Sequence, residues 1–578
     1  MFNIRENIFK AAIYLSFVFL AANLFSLQVI NYPIYRQRSL KNRIRIIPLE
    51  APRGVIYDRN NNILVGNRIS FDLAVIQQEV EDIDATLEEL SKVSGISKEQ
   101  LHKNYQRNYI APFIPVIVAQ DLDKHKAFCI DENITSVPGA ILWSNPRRDY
   151  KHPEAISHLV GYIGKMDVAE YGILSDYGYR IREYVGRSGL EDYYNSYLRG
   201  ESGGIQVEVD ALSRQVRQLS YKAPEKGKDI YLTIDIDLQE MANMLLKDET
   251  GAFIAMDAKT GQVLALASSP NFDPNVFVNP AEESKRLVLL NRKDHPMLNR
   301  AISSAYPPGS TFKIVVATAA LSSGKLNEKT LYYCHGIYRL GKAKFRCWRR
   351  GGHGTQNVIQ GLAHSCNIFF YNAGRLIGPD LIYQYAMKFG LGQPTGIDLP
   401  WEAAGFVPSP FWKRRNKGKP WHPGDTLNLA IGQGFLLITP IQGLKMITFI
   451  ANKGLAPRPY LVKRIGEVDL QGESSDKVAI EEENNAFSII QNGLYDVVND
   501  PTGTGQNARV KGLKICGKTG TAQVEGAEAH GWFLGYLPAD NPKISFAIFL
   551  EHCGSGGRKP ATMARVLCKY LQKKGYLE

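Results

Sequence analysis

From Ala11 to Tyr35 the chain has no Asp, Glu, Lys, Arg or His, and its first stretch, Ala11 to Ile30, is mostly Leu, Phe, Ile, Val and Ala. About 20 helical residues span the roughly 30 Å of the bilayer hydrocarbon core. A cleaved signal peptide has a shorter apolar region and a small-residue cleavage site, whereas this run leads into Asn31, Tyr32 and Pro33. The pattern predicts an uncleaved transmembrane anchor at 11–35 behind a cytoplasmic stub at 1–10. The other reading, a buried helix of a soluble core, fits poorly with so long a run. Arg5 and Lys10 precede it and Arg36, Arg38, Lys41, Arg43 and Arg45 follow it, opposite to the simple positive-inside bias. Long domains translocate largely regardless of flanking charge. The remainder is therefore expected in the periplasm or extracytoplasmic space, tethered to the inner (cytoplasmic) membrane by a single pass.

Beyond Tyr35 no second span, internal repeat or low-complexity tract follows. Residues 36–220 mix strand-like pieces, such as Phe71 to Ile76, with helical ones, such as Asp82 to Val93. Tyr221 to Asp229, polar and containing Pro224 and Gly227, reads as a linker. It divides a mixed α/β pedestal at 36–228 from a second domain at 229–578. That domain opens with a strand, Ile230 to Ile234. A helix follows with Leu238, Met241 and Leu245 on one face, then a hairpin of Ala252 to Met256 and Gln262 to Ala267. Sheet and helices interleave, as in an α+β domain.

The length of 578 residues is ample for a large core, and 44% apolar with 22% charged residues excludes disordered, collagenous and disulfide-scaffold classes. The net charge of +12 suits anionic lipid or an acidic polymer. No feature requires nucleic acid, and none is expected as a partner.

Candidate chemistry begins at Tyr306-Pro307-Pro308-Gly309-Ser310-Thr311-Phe312-Lys313, just ahead of the apolar run Ile314 to Leu321. Ser310 is expected at a helix N-terminus, with Lys313 three residues on and on the same face. A serine needs a base, and neutralising a lysine of ordinary pKa at pH 7 costs roughly 4.6 kcal/mol unless burial or a second cation lowers it. Alone, the pair reads equally as a capping serine and a solvated lysine. Two further elements follow in order: Ser365-Cys366-Asn367 and Lys518-Thr519-Gly520-Thr521. Ser365 can relay a proton to a leaving amine, Asn367 can hold Lys313 and the substrate backbone, and Lys518 adds positive charge. Gly520 lets an extended peptide approach the strand, with its carboxylate held by Thr519 and Thr521. The backbone N–H groups of Ser310 and Thr521 would form the oxyanion hole.

The S-x-x-K, S-x-N and K-T-G set is that of penicillin-recognising serine enzymes. From the anchor to about residue 560 the chain resembles the class B penicillin-binding proteins, the elongation-type transpeptidases (the penicillin-binding protein 2 group) above all. Matching stretches are Arg53 to Arg59, Gly186 to Glu191, Asp257 to Pro274, Leu298 to Ala301, Gly432 to Gly434 and Gly531 to Tyr536. The resemblance implies a penicillin-binding transpeptidase fold: an antiparallel sheet flanked by helices, a central nucleophile helix, and the mixed pedestal. It implies a peptidoglycan D,D-transpeptidase in which Ser310 attacks the penultimate D-alanine carbonyl of a stem peptide and releases D-alanine, and β-lactams as covalent inhibitors. It also implies a RodA-type SEDS glycosyltransferase and other elongation-complex proteins as partners. No glycosyltransferase domain is expected in 36–220, so the chain reads as monofunctional.

Cys334, Cys347, His353 and Cys366 crowd one segment, while Cys129, Cys516, Cys553 and Cys568 are scattered. Three thiolates and an imidazole form a complete tetrahedral set for structural Zn²⁺. Some elongation-type members carry such a set in this place. A disulfide between two of the thiols, or independent buried thiols, are the other readings. Three rival functions remain: a membrane-anchored β-lactamase, a non-catalytic β-lactam receptor, and a division-type transpeptidase. The first expects a Glu-x-x-x-Asn after S-x-N, but Glu402 is followed four residues later by Phe406. The second expects a cytoplasmic output domain, and only ten residues precede the apolar run.

Overall fold

The computed structural model describes residues 2–109, 114–134, 137–179, 183–210, 215–470, 477–481 and 484–577. Met1, where the expected stub starts, lies outside them. The chain forms two compact units, one of residues 1–53, 67–147 and 200–227 and the other of 54–66, 148–199 and 228–578.

In the first unit helix α1 (Phe2–Phe25) continues as a π turn, Ser26–Ile30. Its stretch Asn7–Ile30 is long and apolar enough to cross a membrane, and Leu15, Phe17, Phe19 and Leu24 are exposed along it. Such a surface suits lipid and not water. The turn closes at Asn31, whose N–H donates to Ser26 O at 2.8 Å and whose amide donates to Ser26 Oγ at 3.2 Å. Tyr32–Tyr35, expected inside the span, belong instead to the next helix, Tyr32–Arg43. Further on, Phe71 to Val75 pair antiparallel with Val116 to Leu122. Against this pair pack the helices Ile83–Ser94 and Lys98–Asn108, burying Leu73, Val75, Leu87, Leu90, Leu101 and Val118. The first of these helices starts where expected because Asp82 accepts from the N–H groups of Asp84 and Ala85. A separate three-stranded sheet joins Ile44–Leu49, Gly203–Val209 and Gln215–Lys222.

The boundary at 227/228 falls in the expected linker, but 54–66 and 148–199 group with the second unit and not with the rest of 36–228. Long-range pairing is the cause. Ile56 and Tyr57 pair in parallel with Ile230 and Tyr231, and Arg148 forms a fully buried ion pair with Glu191 (2.6 Å) while donating to Gly54 O (2.7 Å). The stretches from Arg53 and from Gly186 thus meet through one arginine.

The second unit is built on a five-stranded antiparallel sheet. Its members are β1 (Gly251–Asp257), β2 (Val263–Ser269), β3 (Cys516–Val524), β4 (Ala527–Leu537) and β5 (Ile544–Leu550), in the order β2-β1-β5-β4-β3. Alternate residues feed two cores, as a two-residue period requires. Ala252, Ile254 and Met256 face one side, with Phe312, Ile314, Val315, Trp532 and Phe549. Phe253 and Ala255 face the other, with Leu238, Met241, Phe533 and Leu567. Helices on both faces explain why these strands read as near-continuous apolar runs. On the first face lies helix α2 (Lys313–Ser322), buried at every position. The expected α+β fold, an antiparallel sheet flanked by helices with a central nucleophile helix, is the observed one.

Candidate active site

Ser310 lies in a 3₁₀ turn, Gly309–Phe312, that runs directly into α2, whose first residue is Lys313. In a 3₁₀ turn residues three apart eclipse one another, so the two side chains project from one side. Main-chain contacts hold the turn. Gly309 donates its N–H to Gly432 O at 2.9 Å, and both glycines have positive φ, 55° and 70°. A Cβ at Gly309 would stand 2.5 Å from Thr521 O, and one at Gly432 2.1 Å from Gly309 O. No side chain fits at either position. Ahead of the turn, Trp532 Nε1 donates to Pro307 O (3.0 Å), and Glu551 accepts from Tyr306 OH (2.7 Å) and Arg300 Nε (2.8 Å). The stretches around Arg300, Gly432 and Trp532 therefore all brace one loop.

Lys313 is fully buried and its ammonium donates to Ser365 O (2.8 Å), Ser365 Oγ (3.2 Å) and Asn367 Oδ1 (2.7 Å). Burial pushes its pKa down to about 8, against the Cys366 and Cys347 thiols, which hold it up. All three donors are committed, and among the described residues no hydrogen bond joins Lys313 to Ser310. The three motif residues Lys313, Ser365 and Asn367 do converge. Ser365 occupies the turn between α3 (Val358–Ala363) and α4 (Asn367–Ile377), with φ 51°. That left-handed conformation reverses the chain so that Ser365 O and Oγ both reach one ammonium.

Lys518 on β3 is also fully buried, donates to Thr519 O (3.1 Å), and has its pKa lowered well below the usual lysine range by burial and then by Lys313. Two cations this close disfavour each other. Thr519 and Thr521 alternate with Lys518 and Gly520 along β3, so their hydroxyls share one face. Thr521 is exposed, and Thr519 Oγ1 shares a hydrogen bond of 2.8 Å with Thr504 Oγ1. Thr504 N also donates to Ala363 O (3.2 Å), linking β3 to the end of α3. Nothing in the local pattern singles out Thr504. Glu402, considered above as a water-activating base, is consumed by the N–H and hydroxyl of Thr395 and the N–H of Gly396.

Cys334, Cys347, His353 and Cys366 place their ligand atoms within 4.8 Å of one another. His353 Nδ1 lies 3.6 Å from Cys334 Sγ and 3.5 Å from Cys347 Sγ. A tetrahedral Zn²⁺ with ordinary Zn–S and Zn–N bonds has donor–donor edges of about 3.5–3.8 Å, which the two His353 edges match, and the donor types suit the ion. The Cys347 thiol, hydrogen-bonded by Cys366, is held far below its usual range and Cys366 is pushed up. The pair is thus one thiolate accepting from one neutral thiol, and a bound cation would let the second thiol ionise as well. All seven cysteines are free. Cys366 is also the N-cap of α4, between Ser365 and Asn367. The segment between Cys334 and Cys347 forms a hairpin, Ile337–Leu340 with Ala343–Arg346, whose Arg346 carbonyl accepts from Asn367 Nδ2 at 3.2 Å. Asn367 is thus held from both sides.

The family described as penicillin binding protein transpeptidase domain matches residues 251–569, and the penicillin-binding protein dimerisation domain matches 48–232. The peptidoglycan D,D-transpeptidase MrdA of Escherichia coli is 33% identical over 576 residues, covering 95% of this chain and 91% of that protein. A solved complex between penicillin-binding protein PBP2 and MreC from Helicobacter pylori matches with TM-score 0.84 and 29% identity, covering 92% of this chain and 99% of that one. A structure described as showing coordination of polymerization and crosslinking by a peptidoglycan synthase complex matches with TM-score 0.75 and 30% identity, over 98% and 97%. With a buried lysine, a serine turn and an asparagine converging at the edge of an antiparallel sheet, the chain belongs to the class B penicillin-binding proteins, the elongation-type peptidoglycan D,D-transpeptidases.

Proposed function

We propose that Ser310 is the acylated nucleophile, that Lys313 is its base, and that the finer assignments follow from the same geometry. The observation that carries this reading is the convergence of Lys313, Ser365 and Asn367 behind the Ser310 turn, with Lys313 brought down to about 8. In its neutral form Lys313 takes the Ser310 proton as Oγ bonds to the penultimate D-alanine carbonyl of a donor stem. Ser365 then passes a proton to the departing D-alanine nitrogen as the peptide C–N bond breaks. An acceptor amine attacks the ester, and Ser310 regains its proton. The Ser310 and Thr521 N–H groups face the developing oxyanion, and Thr519, Thr521 and Lys518 take the donor carboxylate.

Cys334, Cys347, His353 and Cys366 would hold a structural Zn²⁺, supplying a rigid link between the hairpin and the start of α4. The donor distances support this. β-Lactams acylate Ser310 in the same pose as the donor. A RodA-type glycosyltransferase and other elongation proteins would dock on the anchor and the first unit, which supports inner-membrane placement with the catalytic unit outside the cytoplasm. The solved complexes of relatives are in keeping with such an assembly.

The test is intact mass of the full chain in detergent micelles, followed for hours after penicillin is added. One persistent equivalent mapped to the Ser310 peptide is expected. Return to the free mass with drug consumed would make the chain a β-lactamase, and no adduct would remove Ser310 from its role. The acylation rate is also expected to track neutral Lys313. It should rise about fivefold from pH 7 to pH 8 and level off above about pH 9, as a base of pKa about 8 dictates. A flat profile between pH 6 and 9 would assign the base elsewhere.

A further inference from the structure

The hairpin that braces Asn367 carries an unneutralised cationic face. Its register is Ile337↔Arg346, Tyr338↔Phe345, Arg339↔Lys344 and Leu340↔Ala343. One face, Tyr338, Leu340 and Phe345, packs on the core. The other presents Arg339, Lys344 and Arg346, all exposed, with Arg339 directly opposite Lys344. Like charges directly opposite destabilise a strand pair, so in the free protein this face works against its own folding. Nothing nearby relieves it. Between Glu328 and Asp380 the chain has no acidic residue, and among the described residues none of Arg339, Lys342, Lys344, Arg346, Arg349 and Arg350 forms an ion pair.

The hairpin that carries this face touches the site through its main chain. Arg346 O accepts from Asn367 Nδ2, and Asn367 Oδ1 accepts from Lys313. It joins the site through Asn367, whereas the donor strand is assigned to β3. We propose that this face seats the acceptor stem, a carboxylate-rich peptide, and holds it so that its amine reaches the Ser310 ester. The inference rests on the transpeptidase reading and adds the acceptor subsite to it. Charge complementarity favours this occupant: a peptide with several free carboxylates meets a row of guanidinium and ammonium groups, which bind carboxylates by charge-assisted hydrogen bonds. The basic residues are long and exposed, as suits a strand that must arrive, react and leave.

The test uses the full chain in detergent micelles. A fluorescent stem tetrapeptide with all its carboxylates free is titrated against Ser310→Ala protein, with and without Arg339→Glu/Lys344→Glu. The dissociation constant is expected to rise at least tenfold in the charge-reversed protein. The same peptide with its carboxylates amidated should bind both proteins equally weakly. Arg339→Gln/Lys344→Gln, which removes charge without reversing it, should weaken binding about threefold and guards against misfolding. In protein retaining Ser310, acylation by penicillin should stay within twofold of the parent. Unchanged peptide binding in both hairpin variants would overturn the proposal. So would loss of binding to anionic vesicles with peptide binding intact, which would make the face a lipid contact. Failure of penicillin to acylate the parent would sink the transpeptidase reading instead, and the peptide titration reads separately from it.

Discussion

Lys313→Met is expected to slow acylation of Ser310 by a penicillin about 10³-fold while leaving the protein folded. General-base removal alone accounts for about 10²–10⁴. Stability behaves differently because the parent lysine is an unfavourable guest when charged. Its pKa falls from the ordinary 10.5 to about 8 in the folded state, so the native chain binds fewer protons than the unfolded chain between those values. The resulting penalty, about 3.4 kcal/mol from roughly 1.36 per unit, is fully present below pH 8 and disappears as pH rises to 10.5. Methionine removes that penalty but leaves Ser365 O and Asn367 Oδ1 without their donor, a loss of about 1–3 kcal/mol each. The two effects offset near pH 7, and the melting temperature should move by less than about 5 °C. Relative to the parent, the variant should be most stable below pH 8 and lose ground at pH 10. Thermal melts at the two pH values, beside the acylation rate, check both halves. Acylation within tenfold of the parent would transfer the base role away from Lys313.

The second large effect concerns the Cys/His set. Protein purified without chelator is expected to hold about one equivalent of zinc. Stripping it should lower the melting temperature of the catalytic unit by about 10 °C or more, since structural zinc commonly binds with about 10–16 kcal/mol of apparent free energy. Acylation should slow about tenfold as well, because Cys366, at the N-cap position of α4, lies between Ser365 and Asn367 and fixes where both stand. Cys347→Ser should reproduce both losses, and Cys129→Ser, at an exposed position, neither. Metal analysis with a thiol count under denaturing conditions distinguishes the readings. Less than a tenth of an equivalent of zinc together with a Cys–Cys crosslink would replace the metal by a disulfide.

The three motifs, the anchor and the Cys/His set were all legible in the sequence because each is a short run whose chemistry is written in residue type. The helix from Ile83 was legible because its cap, Asp82, is local. What escaped was everything decided by distant backbone. Ser365 has a left-handed φ, and the pattern around it does not announce a chain reversal. The grouping of 54–66 and 148–199 with the catalytic unit depends on Ile56 and Tyr57 pairing with Ile230 and Tyr231, and on Arg148 joining the two segments through Glu191 and Gly54. Arg346 acts through its carbonyl, and Thr504 through a hydroxyl shared with a strand fifteen residues away. A main-chain oxygen has no sequence signal at all, and a lone threonine has too weak a one.

The stack of Gly309 on Thr521 O and of Gly432 on Gly309 O limits how this enzyme could escape an inhibitor. At Gly309 and Gly432 the chain stands against peptide groups, and a mutation at either can only add a side chain. Any side chain there displaces the Ser310 turn, and turnover and acylation by a β-lactam are expected to fall together. Selection for resistance is therefore steered away from the Ser310 turn, toward positions whose side chains are exposed, such as Thr521 on β3. Escape variants gathered under a β-lactam should cluster there, at some expense to substrate handling, and leave both glycines untouched.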